Sequence, residues 1–162
     1  MYKSIKYFAI AGSVVISSVL MGTVISVAVT VPIQGYENLA TQRCLDSNPN
    51  GNVYTSANRC TSSSTNNYQK WQIITVGSRR RLKNRATSRC LDSNANGTVY
   101  TNPCASGDDN NFQQWVRVAS GSTTQLRNFA TGRCLDSNAN GTVYTNPCGS
   151  TNNFQKWVER SY

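Results

Sequence analysis

Arg43-Cys44-Leu45-Asp46-Ser47-Asn48 opens a stretch that runs through Asn50-Gly51-Asn52-Val53-Tyr54-Thr55 to Cys60 and closes on Gln69-Lys70-Trp71. The same order of residues returns twice. Arg89-Cys90-Leu91-Asp92-Ser93-Asn94 leads to Asn96-Gly97-Thr98-Val99-Tyr100-Thr101, then Cys104, then Gln113-Gln114-Trp115. Arg133-Cys134-Leu135-Asp136-Ser137-Asn138 leads to Asn140-Gly141-Thr142-Val143-Tyr144-Thr145, Cys148 and Gln155-Lys156-Trp157. The first Cys of each copy are 46 and 44 residues apart. Self-similarity at such a period marks a repeat architecture. The copies, about 31–76, 77–121 and 122–162, fill nearly everything after residue 31, so a single domain of three repeats is expected.

Within a copy the apolar stretches are short and bounded by Asn, Gly, Ser and Thr, with no sustained helical spacing. Each Asn-Gly pair is a hairpin-turn signal, because both residues tolerate positive φ. Val53-Tyr54-Thr55 and its equivalents carry strand-favouring side chains, and Trp71–Val76 reads as a further strand. The turn spacing predicts about four short strands per copy. Units this small cannot each bury a core. They must share one, with the Leu of Cys-Leu-Asp, the Val and the Trp of Gln-x-Trp pointing inward. The expected fold class is all-β, closed, with approximate threefold symmetry and few free strand edges.

The chain has 162 residues, six Cys, no His and a net charge of +9. The missing His removes His-based triads, general bases and metal ligands. The Cys fall in pairs spaced 16, 14 and 14 residues, which favours Cys44–Cys60, Cys90–Cys104 and Cys134–Cys148 among the possible connectivities. Each bridge would close the hairpin that carries the Asp and the Tyr. The spacing is not that of a zinc site, and no metal or cofactor is expected. Paired Cys also imply an oxidising compartment.

Lys3 and Lys6 precede an uncharged run from Phe8 to Val31. A charged start, an apolar middle and Ser26-Val27-Ala28 fit a secretory signal peptide over 1–28, leaving 29–162 as a secreted domain of charge +7. An uncleaved anchor is the alternative, since a run of this length is long enough to span a bilayer.

Three ordered copies of Cys-Leu-Asp-Ser-Asn, Asn-Gly-x-Val-Tyr-Thr and Gln-x-Trp resemble the ricin-B-type β-trefoil lectins, over about residues 31–162. The resemblance implies a β-trefoil in which Gln-x-Trp is structural and the hairpin Asp holds a sugar, helped by a nearby aromatic and an amide. The small three-repeat members that this chain resembles recognise mannose-rich glycans, whereas others prefer galactose. A secreted, monomeric, non-catalytic lectin with mannose-type glycans as partners is therefore expected, without nucleic acid or membrane partners.

The chemistry of the candidate site follows. A carboxylate accepts two hydroxyl protons in charge-assisted bonds, which suits vicinal sugar hydroxyls. Asp46, Asp92 and Asp136 are the equivalent acids, each expected to be presented outward; the bland alternative is Asp capping its own turn. Tyr54, Tyr100 and Tyr144 offer a ring face and a hydroxyl. A plain two-residue Asn-Gly hairpin, however, would set Asp46 opposite Thr55 and Tyr54 opposite Ser47, on different faces. A bulge or longer loop is needed if both are to touch one sugar. If the segment before Trp71 is extended, Gln69 faces inward while Asn66 and Tyr68 face outward. Asn66, Asn110 and Asn152 are thus nominated as the amides, with Tyr68, Phe112 and Phe154 as extra wall. Asp108 and Asp109 add acceptors to copy two or crowd it. Copy one differs by Ser56-Ala57-Asn58-Arg59 before Cys60, a two-residue insertion that predicts different selectivity.

Catalysis is not expected. Glycosidases need two carboxyl groups about 5–9.5 Å apart, and acids that repeat once per copy lie in separate sites around the axis. A rival reading from another class rests on Arg79, Arg80, Arg81, Lys83, Arg85 and Arg89, a basic cluster suited to an acidic polysaccharide or nucleic acid. A structural or inhibitory trefoil without sugar binding is the third. Asn96-Gly97-Thr98 and Asn140-Gly141-Thr142 also match the N-glycosylation pattern.

Overall fold

The computed structural model describes residues 6–10, 13–20, 23–107 and 109–162. The chain divides into two compact units, Met1–Pro32 and Ile33–Tyr162. The first contains β1 (Lys6–Ile10), β2 (Ser13–Leu20) and β3 (Thr23–Thr30), an antiparallel meander in which β2 pairs with both neighbours. The signal peptide expected over 1–28 lies partly outside the described residues. No helix among those described is long and apolar enough to cross a membrane.

The second unit holds the repeats, and each copy supplies four strands. Copy one gives β4 (Ile33–Asn38), β5 (Cys44–Ser47), β6 (Val53–Ser56) and β7 (Trp71–Val76). Copy two gives β8 (Arg79–Asn84), β9 (Arg89–Ser93), β10 (Val99–Pro103) and β11 (Trp115–Ser120). Copy three gives β12 (Thr123–Asn128), β13 (Cys134–Ser137), β14 (Val143–Asn146) and β15 (Trp157–Ser161). The first and last strands of the copies pair in the order β4-β7-β8-β11-β12-β15 and return to β4, which closes a six-stranded antiparallel barrel. The hairpins β5–β6, β9–β10 and β13–β14 lie off that ring and join one another through matching backbone bonds. Thr55 N donates to Gly141 O, Thr101 N to Gly51 O and Thr145 N to Gly97 O, each at 2.8 Å.

The shared core is the expected one. Trp71, Trp115, Trp157, Leu45, Leu91 and Leu135 are wholly buried, with Val53, Val99 and Val143 beside them. Each buried indole needs a partner for its N–H. Trp71, Trp115 and Trp157 donate to the carbonyls of Leu45, Leu91 and Leu135 at 3.1–3.2 Å. Gln-x-Trp is thereby tied to Cys-Leu-Asp within its own copy. The bridges Cys44–Cys60, Cys90–Cys104 and Cys134–Cys148 are formed as the spacing favoured.

The hairpin register differs from the plain two-residue turn. Asp46 lies opposite Tyr54, Leu45 opposite Thr55 and Ser47 opposite Val53. Gly51 N donates to Asn48 O across the turn, Asn48 N donates to Asn52 O, and Gly51 holds φ +89°. The loop between the last bonded pair is therefore three residues long, ending in a glycine at positive φ. The extra residue restores Asp and Tyr to one face.

Candidate functional site

Each copy assembles the same three side chains from two distant segments. In copy one Asp46 Oδ2 accepts Gln69 Nε2 at 3.0 Å and Asn66 Nδ2 at 3.2 Å, while Oδ1 accepts the backbone N–H of Ser47 at 2.8 Å. In copy two Asp92 Oδ2 accepts Gln113 at 3.1 Å and Asn110 at 3.4 Å. In copy three Asp136 Oδ2 accepts Gln155 at 2.9 Å and Asn152 at 3.3 Å. The nominated acids and amides are thus brought together.

The Asp residues do not stand outward as expected. Asp46, Asp92 and Asp136 are 3%, 2% and 2% exposed, as deeply buried as the glutamines that hold them. A buried carboxylate requires such donors. Burial pushes the Asp46 carboxyl above its ordinary range, and the bonds from Gln69, Ser47 and Asn66 only partly offset this.

The extra aromatics sit on one-turn 3-10 helices, Asn67–Gln69, Asn111–Gln113 and Asn153–Gln155, with the amides at their N-caps, where an extended segment was expected. The expected exposure is found, with Gln69 buried and Asn66 and Tyr68 half-buried. A cap explains it. Asn66, Asn110 and Asn152 accept the backbone N–H of Tyr68, Phe112 and Phe154, each at 3.0 Å, in the manner of N-cap side chains. The second copy's Asp109 is exposed, and Asp108 lies outside the described residues.

Tyr54 is 37% exposed, and Tyr100 and Tyr144 are half-buried. Burial raises all three phenols, and the carboxylate opposite each adds to the effect. Tyr54 and Tyr100 turn their hydroxyls to the carbonyls of Ser47 and Ser93, at 3.5 and 3.3 Å. The outward ring is what remains to stack against a ligand.

Two sets of residues escaped the sequence reading. Asn102 and Asn146 add a further amide to Asp92 and Asp136 at 3.3 and 3.5 Å; Ser56 stands at that place in copy one. Asn38, Asn84 and Asn128 are wholly buried, and each donates to the 3-10 turn of the preceding copy, at Phe154, Tyr68 and Phe112. Their signal was present, since Asn-x-Ala-Thr-x-Arg-Cys recurs before every hairpin.

Four of the six residues of the basic cluster have partners within the fold. Arg80 pairs with Glu159 at 3.2 Å, Arg79 lies over the Phe129 ring at 4.3 Å, and Arg81 is buried with its guanidinium on the carbonyls of Ala105 and Gly107. Arg89 reaches the carbonyl of Pro49. Glu37 takes Arg59 and Arg160, and Glu159 takes Arg80 and Arg117, so each remaining glutamate is held by two guanidinium groups. Among the described residues no group of acids and Cys is arranged to hold a metal.

An open cleft of about 550 Å³ lies beside the first site, between the insertion and the loop after Cys60. Asn66 and Gln69, both bonded to Asp46, line it.

Solved structures with this architecture are similar in fold. The designed threefold-symmetric protein ThreeFoil shares 20% identity, with a TM-score of 0.67 over 78% of this chain and 96% of its own. SeviL, solved bound to asialo-GM1 saccharide, shares 14% identity, with a TM-score of 0.64 over 81% of this chain and 98% of its own. The endo-β-galactosidase of Clostridium perfringens that releases GlcNAcα1-4Gal shares 17% identity at a TM-score of 0.70; 81% of this chain is covered, but only 32% of that one. No curated protein matches the chain in sequence. The family model described as the ricin-type beta-trefoil lectin domain matches residues 32–157, and the chain belongs to that family.

Proposed function

We propose that the chain is a non-catalytic lectin, exported and monomeric, with three equivalent pockets for mannose-type sugars. The observation that carries the reading is the threefold Asp-amide cluster with a Tyr directly opposite the Asp. A half-exposed ring supplies an apolar face, while the amides and the carboxylate supply donors and acceptors for hydroxyls. The amides hold the carboxylate in place before a ligand arrives. Asp46 retains acceptor capacity, because three of its roughly four lone-pair positions are used. Each pocket alone binds weakly. Joint engagement of one branched glycan raises avidity by about 10²–10⁴ where the spacing permits.

Replacing Asp46, Asp92 and Asp136 by Ala, singly and together, tests this on a mannan surface. Stepwise loss is expected, with free mannose competing. Each variant also removes the acceptor shared by two side-chain amides in copy one and by three in copies two and three, so its thermal unfolding must be followed in parallel. Undiminished binding by a folded triple variant would show that these carboxylates do not hold the sugar. Retention on heparin that is lost at moderate salt and ignores free sugar would favour the polyanion reading instead.

A further inference from the structure

The three copies differ at one place that controls the shape of the first site. The third residue of β4, β8 and β12 is Gly35, Arg81 and Gln125. Arg81 reaches from its strand to the carbonyls of Ala105 and Gly107, and Gln125 Nε2 reaches Gly149 O at 3.0 Å. These side chains fasten the loop after the second Cys to the barrel. A second fastening comes from the glutamine of Gln-x-Trp. Gln113 Oε1 accepts Ala105 N and Gln155 Oε1 accepts Gly149 N, each at 2.8 Å. Their Nε2 groups also reach Pro103 O and Pro147 O, at 2.9 and 3.0 Å.

Copy one has neither fastening. Gly35 has no side chain to extend, and a Cβ there would meet the Tyr162 hydroxyl at 2.9 Å. The Gln69 side chain keeps its bond to Asp46 and, among the described residues, makes none like those of Gln113 and Gln155 to the loop after the second Cys. The insertion and the unfastened loop stand apart, and the cleft of about 550 Å³ lies between them. That volume falls within the roughly 300–1,000 Å³ of small-ligand sites. Its polar wall consists of amides and hydroxyls, including Asn58, Thr61, Ser63 and Ser64, groups that can donate and accept. Its one charged residue, Arg59, is held by Glu37 at 3.0 Å.

We propose that this cleft is an extension subsite for a neutral sugar residue joined to the one at Asp46, which makes copy one selective for oligosaccharides. The proposal rests on the lectin reading above and goes beyond it, because it breaks the equivalence of the three pockets. Asn66 and Gln69 form the link, since each touches Asp46 and lines the cleft.

Titration of the isotope-labelled full chain with methyl α-mannoside and then with α-linked mannobiose, followed by amide NMR, tests it. The monosaccharide is expected to shift amides beside all three Asp residues. Mannobiose is expected to shift 58–66 in addition, without matching shifts at 102–107 or 146–152. Binding at copy one is expected to tighten about tenfold, the worth of two net hydrogen bonds. Ser63→Trp, which fills the cleft from an exposed position, is expected to abolish that gain and to leave monosaccharide binding unchanged. Equal mannobiose effects in all copies, or a preference of the cleft for an acidic disaccharide, overturns the subsite while the lectin reading stands. Indifference of every copy to both sugars overturns both.

Discussion

Gly141 and Thr55 meet backbone to backbone: Thr55 N donates to Gly141 O at 2.8 Å, and a Cβ on Gly141 would lie 2.8 Å from the Thr55 carbonyl oxygen. Gly51 faces Thr101, and Gly97 faces Thr145, in the same way. Gly141 also holds φ +92°, where other residues are strained. Gly141→Ala is therefore expected to lose about 2–4 kcal/mol, from the unfavourable backbone conformation and the collision together. Urea unfolding measures it. A loss below about 1 kcal/mol would mean the hairpin ring adjusts freely, against the packing described.

Asn102 distinguishes the second site from the first. With Ser93 N, Asn110, Gln113 and Asn102, the Asp92 carboxylate carries four donors, against three on Asp46. A sugar hydroxyl entering copy two must displace one of them. Asn102→Ser, which reproduces copy one, is expected to tighten monosaccharide binding at copy two by about two- to tenfold, the range of one net hydrogen bond. Calorimetry in a background with Asp46 and Asp136 replaced by Ala reads that site alone. Unchanged binding would show that Asn102 does not compete with the ligand, and weaker binding that it assists it.

These differences mark the limit of what the sequence disclosed. The repeat, the inward Leu, Val and Trp and the cystine pairing all follow from local pattern, because each copy confirms the others. The placement of Asp46 does not, since its donors, Asn66 and Gln69, are 20 and 23 residues away in the chain. The register was decided by the extra residue in the Asn48–Asn52 turn, which strand alternation alone cannot reveal. Gly35 is uninformative until Arg81 and Gln125 are seen reaching across the same space. Asn38, Asn84 and Asn128 were visible as a repeated Asn, but their partners lie in a neighbouring copy.

Two acids near copy one respond to pH in opposite senses. Burial pushes the Glu37 carboxyl up, but bonds from Arg59 and Arg160 outweigh it and hold the group below its usual range. Its contribution to stability is present above the unfolded carboxylate range and is lost as pH falls through the depressed folded value. Asp46 is raised, so it favours the fold most below its unfolded value, and that advantage fades as pH rises through the folded one. Glu37→Gln is expected to reduce stability at pH 7 and to flatten its fall on acidification. Urea midpoints between pH 2.5 and 7 give the comparison. A parallel displacement of the two curves would show that the Glu37 charge is not what the guanidinium groups stabilise.

Arg81 offers a test of the fastening itself, independent of any ligand. The side chain is buried at 5% exposure and spans from β8 to the carbonyls of Ala105 and Gly107. Bonds from a charged donor contribute about 1.5–3 kcal/mol each, and truncation leaves both carbonyls to find water. Arg81→Gly, which copies the first repeat, is expected to cost about 2–4 kcal/mol, because the loop can recover part of the loss by moving outward. Arg81→Gln, which copies the third repeat, should lose less, since the glutamine amide at Gln125 already makes the analogous bond to Gly149. Hydrogen exchange separates a local from a global effect. Exchange at 104–107 that accelerates beyond the rise in the Trp115 strand of the glycine variant is the outcome expected of a strut. Uniform acceleration through the barrel would assign Arg81 to the core, and the open cleft of copy one would then need an explanation other than Gly35.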